Sequence, residues 1–373
     1  MRIAIDARTA YARQRRGTGR NLVDLYRTLA ALRPDWDFIM FHQTDADGDP
    51  FAGVPNIRHE RIDIPGDRLN LWQDVRLPLA AQASGADVLH CPANTAPWSV
   101  SMPTVVTIHD LIPLSMAPDA SAAMRWLRRM RRTVQYARRI VTPSEYSRGM
   151  IATTLGVPPD RITVNYWAPD LKCRRIEAPL VLRAVRQKYG VPAGARYVLA
   201  FGAADPRKNT AGVLEAWSRV PAGLREDSVL LVVGLQASVL DAYRTLALTH
   251  VFGPSCLLHG FADEGDLGAL LSGAVALCYP SRSEGFGLPV LDAFACGTPV
   301  ITSSSTSLPE VAGDAALLVD PDDVDAIAGA LARILSSSDI RERLGAAGAR
   351  RARLFSWERC AGTLAEVLES AAA

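Results

Sequence analysis

The sequence predicts an α/β protein built from two doubly wound, Rossmann-like domains. Three observations carry this expectation. A chain of 373 residues is long for one hydrophobic core and comfortable for two. Short apolar runs rich in Val, Ile and Leu recur without polar alternation, as in parallel strands covered on both faces. Helical patterns separate these runs in both halves of the chain.

The strand candidates in the first half are Arg2–Asp6, Asp37–Gln43, Ile57–Ile62, Asp87–Cys91, Thr104–His109, Arg139–Pro143 and Ile162–Tyr166. Those in the second half are Tyr197–Gly202, Val229–Gly234, Cys256–Gly260, Ala274–Tyr279, Thr298–Thr302 and Ala315–Val319. Ala168–Pro179, with two prolines and a charge cluster, reads as the linker. The expected division is therefore 1–172, 173–355 and a last helical segment 356–373 that packs back on the first domain. Ligands in such sheets bind beyond the carboxyl ends of the strands, so two facing domains would place a cleft there.

Bulk properties exclude several classes. The chain is 49% hydrophobic and 21% charged, with a net charge of +2, which argues against nucleic acid as the main partner. Charge is uneven: residues 1–172 carry 22 Lys+Arg against 17 Asp+Glu, and residues 173–373 carry 19 against 22. No apolar run approaches the ~18 residues that cross a bilayer, and the start MRIAIDART lacks a signal peptide's apolar core. Six cysteines stand singly without a CxxC pair, as suits core residues of a cytoplasmic chain rather than disulfides or zinc ligands.

The most informative segment is Pro280–Gly297, PSRSEGFGLPVLDAFACG, directly after the strand Ala274–Tyr279. Glycines 285 and 287 permit positive φ and close approach of a ligand to backbone N–H groups. Pro289 suits the first turn of a helix and Gly297 its C-terminal cap. A glycine-rich loop feeding a helix N-terminus attracts anions through free amides and the helix dipole. Glu284 and Asp292, about two helical turns apart, add carboxylates that accept hydrogen bonds from hydroxyls. A ligand with phosphates and several hydroxyls, such as a sugar nucleotide, satisfies both; a solvated Glu and a helix-face Asp would account for the carboxylates alone.

This segment resembles the signature E-G-F-G-L-P-x-x-E-A-x-A-x-G-x-P of GT-B-fold glycosyltransferases of family 4, with Asp292 where the family has Glu. The resemblance implies two Rossmann-like domains facing across a cleft and retaining hexosyl transfer from a sugar nucleotide. It also implies that Glu284 touches the donor sugar while Asp292 holds the ribose, the Gly285, Phe286, Gly287 and Leu288 backbone lying at the phosphates. Arg207-Lys208-Asn209, in the loop after Tyr197–Gly202, resembles the family's R-K-N element, in which the Lys binds the donor diphosphate and Arg207 assists. Lys208 is one of three lysines among 41 basic residues, and Lys is a suitable point charge for phosphate. Many relatives carry an Arg where this chain has Ala203. Base recognition is expected near Gly260, Phe261 and Ala262.

In the first half, Arg16-Gly17-Thr18-Gly19-Arg20 is weak as a dinucleotide fingerprint but resembles the family's G-G-x-G-R loop. It is expected as a flexible loop that approaches phosphate. His109-Asp110-Leu111-Ile112-Pro113 resembles T-x-H-D-L-x-P, whose His lies at the reaction centre. His90-Cys91-Pro92-Ala93-Asn94 resembles an acceptor-side H-x-P-x-N segment. The implied catalytic set is His109, Asp110 and Glu284, with His90 and Asn94 on the acceptor side.

Residues 125–139 contain seven arginines around a face of Trp126, Met130, Val134 and Ala137. A core-packing helix with a solvated basic face is the slightly preferred reading; contact with anionic lipid at the inner membrane face, or with a lipid-linked acceptor, stays open. Asp45-Ala46-Asp47-Gly48-Asp49 contains a D-x-D that could hold a metal, but a solvated turn explains it better, and no metal or other cofactor is expected. The family's mannosyltransferases of polysaccharide assembly make GDP-mannose the first choice of donor and a glycan or lipid-linked molecule the acceptor. dTDP-rhamnose and UDP-hexoses stay open, as do an epimerase of the same fold, a phosphorylase and a non-catalytic binding member.

Overall fold

A computed structural model describes residues 1–13, 17–43, 48–64, 70–99, 101–249 and 255–373. The chain divides into two compact units: Met1–Ala168 with Phe355–Ala373, and Pro169–Leu354.

The first unit holds a seven-stranded sheet of β1 (Arg2–Asp6), β2 (Asp37–His42), β3 (Ile57–Arg61), β4 (Val88–Cys91), β5 (Thr104–Thr107), β6 (Arg139–Thr142) and β7 (Ile162–Val164). Its spatial order is β3-β2-β1-β4-β5-β6-β7, every pairing parallel. Strand order reverses between β1 and β4, where Ile5 pairs with His90. A parallel doubly wound sheet opens its crevice at such a switch point, outside the carboxyl ends of the strands.

Both faces of the central strands are covered, which is why those strands read as apolar runs, whereas the edge strand β3, IRHER, is largely exposed and polar. Ile3 and Ile5 of β1 lie in one core with Tyr26, Phe38 and Met40, and Ala4 lies in the other with Ile39, Leu89 and Val106. Trp357, Leu364 and Leu368 of the last helix, Trp357–Ala372, complete the first of these cores. The Asn165 side chain donates to the Cys360 carbonyl at 3.0 Å and ties that helix to the end of β7.

The second unit holds β8 (Arg196–Phe201), β9 (Ser228–Val233), β10 (Cys256–Leu258), β11 (Ala276–Tyr279), β12 (Val300–Ser303) and β13 (Ala316–Val319). Its order is β10-β9-β8-β11-β12-β13, again all parallel, with the reversal between β8 and β11. The loops leaving those two strands carry Lys208 and Glu284.

The division falls before Pro169 rather than after Lys172, for a visible reason. The Asp170 N–H donates to Asp292 at 2.9 Å, and Lys172 pairs with Glu264 at 3.0 Å, so Pro169–Lys172 belong with the second unit. At the other end Phe355, placed by the sequence reading with the second domain, joins the first unit, where it makes an edge contact with Tyr166.

Candidate functional site

In the second unit, β8 runs into Gly202, where a Cβ would stand 2.6 Å from Leu235 and 2.8 Å from Val232. The chain then turns through Pro206–Lys208, capped by Asp205, whose carboxylate accepts from the Arg207 N–H at 3.0 Å. Asn209 takes the left-handed conformation (φ 56°) and donates from its side chain to the carbonyls of Pro280 and Pro321, which locks this loop to the one after β11. The left-handed residue thereby aims Lys208 across the switch point.

There the Lys208 ammonium donates to Glu284 Oε1 at 2.7 Å and to the Tyr279 hydroxyl at 2.6 Å, and that hydroxyl donates to the same Glu284 oxygen at 2.6 Å. Lys208 is 26% exposed and Glu284 12%, so the pair is accessible from one side only. Burial first, and the Glu284 charge second, push the Tyr279 hydroxyl well above its ordinary pKa, so it stays protonated. The loop is fixed from below: Glu284 N–H donates to Thr306, and Ser307 donates to the Glu284 and Phe286 carbonyls. Gly287, at φ 121°, leads into the helix Leu288–Ala295, and a Cβ there would meet Leu308 at 2.6 Å.

Arg207 reaches the Asp205 carboxylate at 2.5 Å and the Ser283 carbonyl at 3.0 Å, fastening the two loops together. Asp292 is buried, and one of its oxygens receives the Asp170 N–H. Gly260 follows β10 and its carbonyl accepts from the Gly234 N–H at 2.8 Å; the Phe261 ring beyond it is 76% exposed, next to partly buried Ala262.

In the first unit, Gly17, Thr18 and Gly19 open the helix Gly17–Leu32 instead of forming a flexible loop. Gly19 is required by packing, since a Cβ would stand 2.2 Å from the Thr9 carbonyl oxygen. Arg16 lies outside the described residues.

Thr18, Asn21, His90, Thr107, His109, Asn165 and Trp167 line a small, partly open pocket. His90 is fully buried, one ring nitrogen bonded to the Tyr26 hydroxyl at 2.6 Å and the other to the Thr107 hydroxyl at 2.9 Å, which makes it part of the pocket wall. Burial lowers its pKa to about 3. Asn94, left-handed at φ 65°, accepts the His109 N–H at 2.7 Å and sets that backbone. Asp110 caps the following turn by accepting the Ile112 N–H at 3.0 Å.

The His109 Nε2 lies 2.7 Å from the Pro92 carbonyl, so it carries the proton and leaves Nδ1 as an acceptor. That Nδ1 is buried without a partner, as is the Asn21 side-chain nitrogen, a donor. The Trp167 ring stands edge-on to His109 at 4.9 Å. Burial lowers the His109 pKa to about 4, against a smaller opposing effect of the Pro92 bond, so the ring is neutral near pH 7. One donor and one acceptor awaiting partners suit a hydroxyl-bearing ligand.

Sequence reasoning missed Tyr279, Asn21, Trp167 and the Thr306–Ser307 support. Tyr279 had one available signal, an aromatic polar group as the last residue of a strand before the glycine loop.

The helix Ala120–Tyr136 begins at Asp119, which caps Ala122, and buries Met130, Thr133 and Val134. Arg129 is drawn inward to Asp74, with two bonds of 2.6 and 2.7 Å. Arg125, Arg128, Arg131 and Arg132 are exposed, and Arg132 lies over the Trp98 ring at 4.8 Å. Asp45 and Asp47 lie outside the described residues, and Asp49 accepts from the Tyr11 hydroxyl and the Phe51 N–H within its own turn. Among the described residues, no three His, Cys, Asp or Glu side chains are grouped as a metal site, and no helix is long and apolar enough to cross a membrane.

Two parallel, doubly wound units are the architecture of the GT-B class. Residues 183–351 match the glycosyl transferases group 1 family and residues 15–172 match glycosyltransferase family 4. The O-antigen chain mannosyltransferase B of Escherichia coli is 35% identical over 69% of this chain and 67% of its own length. The MMP alpha-(1->4)-mannosyltransferase of Mycolicibacterium hassiacum is 33% identical over 74% of this chain and 67% of its own. The crystal structure of Anabaena Alr3699/HepE in complex with UDP-glucose shares the fold at TM-score 0.76 and 18% identity, covering 99% of this chain and all of that one. The chain belongs to the family 4 glycosyltransferases.

Proposed function

We propose that this glycosyltransferase moves a mannosyl group from GDP-mannose to a glycan or lipid-linked acceptor in surface polysaccharide assembly, with retention at the anomeric carbon and without a metal. The observation that carries the reading is the Lys208–Glu284 pair, which matches a diphosphate bearing a sugar: the ammonium meets the phosphates and the carboxylate meets the hydroxyls. The names of the two mannosyltransferases above support mannose and, in one case, O-antigen as the product. HepE, solved with UDP-glucose, supports a sugar nucleotide as donor and keeps UDP- and dTDP-sugars as the second reading.

In this reading Lys208, the amides of Gly285–Leu288 and the helix dipole behind them stabilise the departing diphosphate. Glu284 orients the sugar. Asp292 contributes to the ribose through whatever hydrogen-bonding capacity the Asp170 N–H leaves it. The retaining course runs on one face of the sugar, the leaving phosphate oxygen receiving the acceptor's proton, and Glu284 is not a nucleophile. In the first unit, neutral His109 and Asn21 offer an acceptor and a donor to sugar hydroxyls.

The enzyme works in the cytoplasm. The exposed arginines of the helix Ala120–Tyr136, which contains no acidic residue, draw it to anionic lipid where a lipid-linked acceptor resides. Calorimetric titration with GDP, UDP, dTDP and ADP, followed by transfer assays with the sugar nucleotide of the tightest binder, tests the donor. GDP binding with mannosyl transfer supports the reading; tighter UDP or dTDP binding moves it to the second; no binding of any nucleotide overturns both.

A further inference from the structure

Lys208 and Glu284 form an ion pair at 2.7 Å. A diphosphate carries more charge than one carboxylate, so an arriving donor draws the ammonium away, and Glu284 must then act on sugar hydroxyls without its cation. A carboxylate that loses its ion pair is free to change rotamer unless another group holds it.

We propose that Tyr279 is a positioning residue of the donor site, its hydroxyl holding the Glu284 carboxylate in place once Lys208 has turned to the diphosphate. This rests on the donor reading given above. Tyr279 already donates to Glu284 Oε1 at 2.6 Å while accepting from Lys208 at 2.6 Å. It can do the first without the second, because the bond to the carboxylate uses its proton and the bond from the ammonium uses a lone pair. Its own position is rigid: it closes β11, a central strand between β8 and β12. The side chain is 2% exposed and its ring meets Phe201 edge-on at 6.4 Å. Its carbonyl accepts from Thr302 at 2.9 Å. The hydroxyl remains protonated through burial and the neighbouring carboxylate.

Tyr279→Phe keeps the ring, including its face 5.3 Å from the Lys208 ammonium, and removes the hydroxyl alone. The test measures calorimetric Kd for GDP, KM and kcat for GDP-mannose, and the same quantities in Glu284→Gln and in the double variant. Where the titration selects UDP, the probes are UDP and UDP-glucose. The proposal expects GDP affinity within about 3-fold of wild type and kcat lower by about 10-fold, the scale of one hydrogen bond to a charged group. It further expects no added loss when Tyr279→Phe is placed in the Glu284→Gln background, because the hydroxyl acts through that carboxylate. Equal losses of GDP affinity and turnover, or fully additive losses in the double variant, mean a merely structural tyrosine and overturn the proposal. So does a Tyr279→Phe enzyme with wild-type kcat. A wild-type chain that binds no nucleotide overturns the donor reading instead, and is recognised before any variant is compared.

Discussion

The Lys208 ammonium lies 2.7 Å from the Glu284 carboxylate, although 76 positions separate the two residues in the chain. They meet because β8 and β11 are neighbours in the sheet while β9 and β10 lie on the far side of β8. Each residue sits in the loop that leaves one of those two strands, and the Asn209 side chain, bonded to the Pro280 and Pro321 carbonyls, holds the loops together.

Removing either member is expected to disable the proposed donor site. Lys208→Ala and Glu284→Ala are each expected to lower turnover at least ~100-fold, the scale of a lost charge-stabilising or sugar-positioning contact. Lys208→Ala should also weaken nucleoside diphosphate binding, whereas Glu284→Ala should leave it largely intact. Steady-state kinetics with calorimetry check this, and near-normal rates in both variants would refute the site.

Asp292 has a structural duty in addition to any ribose contact. It is buried and receives the Asp170 N–H at 2.9 Å. Asp292→Ala strands that donor and is expected to cost about 1–3 kcal/mol of stability, read as a lower denaturation midpoint at unchanged m. Asp292→Glu should preserve or improve nucleotide binding; a collapse in affinity would mean that the site is built around the shorter acid.

Stability should fall in acid through the imidazoles of buried His90 and partly buried His109. His90 and His109 have pKa values lowered to about 3 and about 4, so between those values and the ordinary 6.5 the unfolded chain binds more protons than the folded one. Folding free energy is therefore full above about pH 6.5 and declines as pH falls toward 4, by at most about 1.4 kcal/mol per pH unit for each group. Urea denaturation at pH 7, 5.5 and 4.5 measures the slope. His90→Gln should flatten it; an unchanged slope would remove His90 from the account.

Gly19 and Gly149 make a matched pair. Gly19→Ala forces a Cβ to within 2.2 Å of the Thr9 carbonyl oxygen, which neither backbone can yield, and should cost several degrees of Tm or prevent folding. Gly149 lies inside the helix Glu145–Leu155, and nothing stands within 4 Å of the place its Cβ would take, so Gly149→Ala should be neutral or stabilising by up to about 1 kcal/mol. Equal Tm values for the two variants would contradict the packing seen around Gly19.

All thirteen strands of the described residues were legible within a residue or two, most of them because burial on both faces writes itself into local composition as Val-, Ile- and Leu-rich runs; the edge strand β3, IRHER, is the exception. The glycine turn into the helix Leu288–Ala295 was legible for a similar reason: Gly287, at φ 121°, and Pro289, in the first turn, meet backbone demands that act within a few residues, whereas Gly285 does not take the positive φ expected of it. Lys208 and Glu284 were each found beside their strands. Their ion pair was not, nor was the hydroxyl of Tyr279 between them, since both depend on strand order, which no local pattern encodes. The same holds in the first unit. His109 stood out as a polar residue just beyond an apolar strand, but that Pro92 fixes its tautomer and that Asn94 fixes its backbone follows from the pairing of β4 with β5. Gly17–Gly19 shows the cost of reading locally, since a loop was expected and the helix begins there, Gly19 being demanded by the Thr9 carbonyl. Local backbone preference and hydrophobic burial are properties of short segments, and the amino-acid order sets them directly. Which loops come together at the switch points, which carboxylate is shared and which nitrogen is left without a partner are settled by the packing of segments far apart in the chain.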